Sequence, residues 1–344
     1  MRRRGSRLAA TLIASLLLGM VAFPAGAAAQ SNGPIAQTGG MTAVLPLFGA
    51  PGSLTVAVTL DPAGNITGVT LTPPGDFAAT TSEPGIVKFA NTAGTTKVAV
   101  KAKGDKLSIS AKSASLADFV GAGTWSANVF GTGVETVGYT IGNDGTGKPT
   151  LTIGTPSVVA GVTAVVIAPT THSDEDGEAS ASGGVTFSAN GFVKRLRITI
   201  EVDAVGGPAH LKITLSGKDR QMLSDSIAAL AAVGNRTWSA YLCDGRTQVT
   251  VTYKVIANPD GTGTVSVVGT TPASPTATVK TSDNGFRVRF DGTKVGVKVS
   301  LRANEAGTTW TLDVKGSSGR CGGNDSDKDD SHKDDSHDDD SHDD

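Results

Sequence analysis

The 344-residue sequence predicts an all-β protein, built from repeated antiparallel hairpins and meanders that form one or two β-sandwich or barrel-like bodies. Three observations carry that expectation. Glycine is abundant, at 44 residues, and aromatics make up only 5% of the chain, a balance that suits short strands joined by tight turns. Apolar and polar residues alternate in many short runs, the period that sends successive side chains to opposite faces of a sheet. The block Gly123-Thr-Trp-Ser-Ala-Asn-Val-Phe130 returns as Arg236-Thr-Trp-Ser-Ala-Tyr-Leu-Cys243, so the pattern is internally duplicated.

The chain opens like an export signal. Arg2, Arg3, Arg4 and Arg7 form a basic start, Leu8 to Val21 an apolar run, and Ala27-Ala28-Ala29 a small-residue site that predicts cleavage after Ala29. No later stretch has the length of a membrane-spanning helix. Residues 1–29 are therefore expected to be removed, leaving a secreted or cell-surface protein.

A first hairpin is predicted over Leu54 to Leu60 and Ile66 to Thr72. Its counterparts are Glu135 to Ile141 with Thr150 to Gly154, and Val249 to Ile256 with Thr264 to Gly269. The last two turn through Asp-Gly-Thr-Gly, where glycine accepts a positive φ that other residues resist. A proline follows each second strand and ends it, because it cannot donate to the ladder.

A meander also appears three times, centred on Lys97 to Lys101, Arg195 to Ile200 and Lys294 to Leu301. In the second, Leu196, Ile198, Ile200 and Val202 share one face, while Arg195, Arg197, Thr199 and Glu201 share the other. One buried and one wet face point to antiparallel pairing. Short helical connectors are expected over Ser115 to Val120 and Ser224 to Val233, each just before a Thr-Trp-Ser-Ala block. The strand at Ser157 to Ala168 and the polar loop at Thr170 to Ser182 have no counterpart elsewhere. A break near Pro156 then divides the chain into a β domain at 38–156, a second at 157–320, and a tail at 322–344.

The formal net charge of -2 averages unlike parts. From Asn324 onward 11 Asp stand against two Lys, while the remainder of the mature chain is mildly basic. The tail repeats a pentad, each copy carrying one imidazole behind a carboxylate pair: Asp329, Asp330 and His332; Asp334, Asp335 and His337; Asp339, Asp340 and His342. With no apolar residue after Cys321 it cannot bury a core, so disorder is expected. Imidazole with carboxylate suits zinc or copper, and carboxylate alone suits calcium. No cofactor is required. Cys243 and Cys321, the two cysteines of an exported chain, are expected to form a disulfide worth roughly 4 kcal/mol in loop-closure entropy.

Other chemistry has a plainer reading. No Gly-x-Ser-x-Gly elbow, Cys/His nucleophile or phosphate-binding loop is present, so no enzymatic activity is expected. The acidic loop from His172 to Glu178 reads as a solvated turn, with weak calcium binding as the alternative. Trp125, Trp238 and Trp310 read as core residues rather than a carbohydrate platform. Lys97, Lys101, Arg195, Arg197, Lys294 and Lys298 read first as guards against edge pairing. Stacked in register, they would instead make a stripe for a polyanion. Aromatics do not interleave with these charges, so nucleic acid is not the expected partner.

The function expected is that of a non-enzymatic β-repeat binding or structural protein of the cell surface or matrix. Its partners would be divalent cations held by the tail, a mineral or a cell-surface polymer. Two alternatives stand beside it: a purely structural or adhesive protein with a solubilising tail, and a hydrolase whose carboxylates converge from separate strands. The sequence does not fix an oligomeric state.

Overall fold

The structure, a computed structural model, describes residues 29–31, 38–47, 53–72, 77–83, 85–104, 106–174 and 177–317. The fold is nearly all antiparallel β, as the alternation predicts, and its apolar residues gather in two separate cores.

The larger core lies between two sheets. One has six strands, in the order β11 (Pro149–Ile153), β10 (Glu135–Asn143), β9 (Gly121–Ala127), β2 (Gly40–Leu45), β3 (Leu54–Leu60) and β4 (Ile66–Thr72). The other has eight, in the order β12 (Thr163–Ser173), β13 (Ala179–Ala189), β14 (Phe192–Val202), β15 (Ala209–Gly217), β8 (Lys106–Ser113), β7 (Lys97–Lys103), β6 (Ile86–Asn91) and β5 (Phe77–Glu83). Leu196, Ile198, Ile200 and Val202 of β14 face inward and are buried, and Arg195 and Arg197 face outward and are exposed. Trp125 stacks on Phe187 across the core, with ring centroids 5.8 Å apart, and its indole N–H points at the Met41 sulfur.

The smaller core lies between a four-stranded and a five-stranded sheet. The first runs β1 (Ala29–Ser31), β17 (Asn235–Tyr241), β18 (Gln248–Ala257) and β19 (Gly263–Thr271), with β1 joined to β17 in parallel. The second runs β16 (Arg220–Asp225), β23 (Trp310–Ser317), β22 (Gly296–Ala303), β21 (Gly285–Phe290) and β20 (Ala277–Ser282). Trp238 of the second Thr-Trp-Ser-Ala block is buried here as Trp125 is in the larger core.

The cores do not part at residue 156. β15 pairs with β8 along its length, from Ala209 opposite Ser113 to Ser216 opposite Lys106. Residues 163–217 thus complete a sheet begun by residues 77–113. Leu211, Ile213 and Leu215 need the interior that Leu107 and Ile109 already line, and Pro156 ends only the local hairpin. The change of core falls at Lys218 and Asp219, after which β16 pairs with β23.

The connectors are shorter than expected. The first is a single 3-10 turn, Leu116–Phe119, with Asp118 accepting from the Ser115 backbone N–H at 3.3 Å. The second is α1 (Ile227–Ala232), capped by Ser226, whose hydroxyl accepts from the Ala229 N–H at 3.2 Å. Ser224 and Asp225 belong to β16 instead, because Thr311 and Trp310 of β23 supply ladder partners. Most of the expected Thr170–Ser182 loop is strand, with Thr170 to Ser173 paired against β13.

Candidate functional site

The sequence-predicted basic residues fall on two sheets. Lys97 and Lys101 lie on β7, Arg195 and Arg197 on β14, and Lys298 on β22, while Lys294 precedes β22. All three strands are interior, bonded on both sides. The guard reading therefore does not hold for them, because an interior strand offers no free edge to another chain.

On the eight-stranded sheet the cations are spread out. Arg197 and Lys101 share a row but are separated by Thr214 and Ser108. Carboxylates mix with them: Asp203 lies 3.7 Å from Lys112 and 3.4 Å from the His210 ring.

The five-stranded sheet differs. Lys280 stands opposite Arg287, Arg287 opposite Lys298, Lys298 opposite Lys315, and Lys315 opposite Arg220. One cation from every strand occupies one row, crossing the sheet from edge to edge. At the usual strand spacing, the four steps make a row about 19 Å long. Arg289 and Arg302, on the same outer face as their neighbours on β21 and β22, widen it on either side.

The alternation that builds this row is the alternation that builds the core. Phe286, Val288 and Phe290 of β21 and Val297, Val299 and Leu301 of β22 point into the interior, so the residues between them face out. Like charges directly opposite each other destabilise a sheet, and four successive pairs here do so. The carboxylate among them is Asp313 on β23, which accepts from Arg220 Nε at 2.7 Å and Nη2 at 2.6 Å. That fork keeps the Arg220 guanidinium firmly charged and fixes its direction. A cleft of about 410 Å³ runs along the row from Arg287 to Arg220, its polar lining dominated by these guanidinium and ammonium groups.

A second charged group lies inside the larger core. Glu135 and Lys194 are each 0% exposed. Glu135 Oε2 accepts from the Val129 N–H at 2.7 Å, and Lys194 Nζ donates to the Val129 carbonyl and sits 5.1 Å from the Phe130 ring centre. Burial lowers the Lys194 pKa to about 7, against the pull of the nearby Glu135 charge. Enclosed on all sides, this pair meets no solute. It links the two sheets, since Glu135 is on β10 and Lys194 on β14.

Of the other sequence-predicted sites, His332, His337, His342, their aspartates and Cys321 lie outside the described residues. Cys243 sits two residues past β17. Trp125 and Trp238 are buried and Trp310 is half-buried, which supports the core reading. His172 lies on β12 opposite Ser180, and the turn after it closes through Asp174, whose carboxylate accepts from the Glu178 N–H at 2.9 Å. Among the described residues no three His, Cys, Asp or Glu side chains come together as a metal-holding group. No protein-family model matches the chain, and no curated protein matches it.

Proposed function

We propose that this is a non-enzymatic binding protein of the cell surface or matrix, which holds a linear anionic polymer on the outer face of its five-stranded sheet. The observation that carries this reading is the row Lys280, Arg287, Lys298, Lys315 and Arg220, in direct register across all five strands. Edge protection does not account for its three interior members, Arg287, Lys298 and Lys315, and sheet stability argues against the row. A rigid row about 19 Å long matches a polymer that repeats its charge along an extended backbone. Export, by the signal at residues 1–29, would place it among such polymers. The Asp/Ser/His tail adds a second capacity, weak capture of zinc, copper or calcium.

The test is titration of the full chain with dextran sulfate, and with neutral dextran as control, at two salt concentrations. Dextran sulfate is expected to bind and neutral dextran not, with affinity falling as salt rises. The double variant Arg287→Ser, Lys298→Ser is expected to weaken binding at least tenfold, while Arg197→Ser on the other sheet changes it less than twofold. Equal losses from both variants would mean that general positive charge, and not the row, holds the polymer.

A further inference from the structure

Where the chain crosses between cores, a groove of about 840 Å³ opens beside the crossing. Its walls are tied together. The β13–β14 hairpin turns through Asn190 and Gly191, both at positive φ (48° and 78°), and its tip rests on β16. Gln221, only 1% exposed, donates from Nε2 to the Asn190 carbonyl at 2.8 Å, and the Met222 N–H donates to the Gly191 carbonyl at 3.0 Å. A Cβ at Gly191 would come within 2.4 Å of the Met222 carbonyl oxygen, so only glycine permits this contact. The groove is therefore preformed.

Its lining has two chemistries. Val193 and Met222, 49% and 45% exposed, offer apolar surface to solvent, and half-buried Phe192 lies beside them. Lys106, Arg195, Lys218 and Arg220 also line it, and among the described residues no carboxylate does. A concave site at the junction of the two cores, within the size range of roughly 300–1,000 Å³ typical of small-molecule pockets and walled by both apolar and polar groups, has the form of a binding site. The charges fix what fits.

We infer that this junction groove binds a small amphiphilic anion, its chain on Val193 and Met222 and its phosphate, sulfate or carboxylate head among Lys106, Arg195, Lys218 and Arg220. This site adjoins the polymer row and shares Arg220 with it. The solvent-facing position of Met222 and the exposed position of Lys218 in the crossing make both replaceable without disturbing a core.

The experiment is calorimetric titration of the full chain with decyl phosphate below its micelle concentration, with decanol and inorganic phosphate as matched halves. One site per chain is expected, and each half should bind at least tenfold more weakly. Met222→Glu and Lys218→Glu should each weaken decyl phosphate at least tenfold, with Met222→Gln and near-ultraviolet circular dichroism separating lost contact from lost fold. Arg287→Ser, in the row but outside the groove, should change it less than twofold. The inference is overturned if either half binds as tightly as the whole, or if the groove variants bind like the parent. It is equally overturned if Arg287→Ser matches their loss, which would place the ligand on the row.

Discussion

The buried Glu135–Lys194 pair should make stability rise with pH above neutrality. In the folded chain the Lys194 ammonium titrates at about 7 because burial opposes its charge, against 10.5 in the open. Between those values the unfolded chain carries a proton that the folded chain has released. The unfolded state then binds more protons, so the free energy of unfolding increases as pH rises. At 1.36 kcal/mol for each pH unit, the stretch from pH 6 to 9.5 gives about 3 kcal/mol. The perturbation that isolates it is the double replacement Glu135→Gln, Lys194→Met, in which the introduced amide oxygen can still accept from the Val129 N–H. It should remove the slope and leave the larger core as stable at pH 6 as before, or more so by up to about 4 kcal/mol, as when buried pairs give way to uncharged groups. At pH 6, where Lys194 is still charged, Lys194→Met alone should cost about 3–5 kcal/mol, because the Glu135 carboxylate stays buried without its counter-charge. The assay is urea unfolding followed by Trp125 fluorescence, in a background with Trp238→Phe and Trp310→Phe. Equal stability at pH 6 and 9.5 in the parent, or a slope that survives in the double variant, would refute the reasoning.

Three further outcomes are expected. Burial raises the Tyr253 phenol to about 12; above pH 10 the unfolded chain loses that proton first, so the smaller core should weaken by about 2–3 kcal/mol by pH 12, a drop that Tyr253→Phe reduces in denaturant melts. Deleting residues 324–344 should abolish weak zinc uptake measured by equilibrium dialysis, uptake that in the full chain fades below about pH 6 as protons occupy His332, His337 and His342; unchanged zinc stoichiometry in the truncated chain would move the sites into the folded bodies. Cys243 and Cys321 should resist alkylation in the unfolded, non-reduced secreted protein, and labelling of two thiols would disprove the bridge.

The hairpins were legible because their causes are local. Asp-Gly turns and terminal prolines mark where each strand begins and stops, and alternation says which face is buried. Asn190-Gly191 carried an equally strong turn signal that the chain-wide pattern obscured. The pairing of β8 with β15, and of β2 with β9, left no such mark, since register between distant strands depends on which interior each completes. Lys194 could have been found from parity alone: it falls in phase with Leu196 and Ile198, on the face that turns inward, and Glu135 falls in phase with Val137 and Tyr139. The cationic row was only half visible. Alternating Arg287 and Arg289 stand out in the sequence, but their alignment with Lys280, Lys298, Lys315 and Arg220 follows from turn lengths and from β16 crossing to the smaller core.

The junction of β8 with β15 also sets an order in time. About 95 residues separate Ser113 from Ala209, so at roughly 5–20 residues per second a ribosome needs about 5–20 s to supply β15 after β8 is made. Without β15, a sheet of β5 to β8 ends at β8, where every second backbone group is unanswered, a template for pairing with a neighbouring nascent chain. β8 reads Lys106-Leu-Ser-Ile-Ser-Ala-Lys112 and then Ser113, an apolar stripe bracketed by two lysines. Their charges lie where edge-to-edge growth of an aggregate would have to begin. The protection that lysine gives an edge thus belongs here to the unfinished molecule, and it becomes superfluous once β15 arrives.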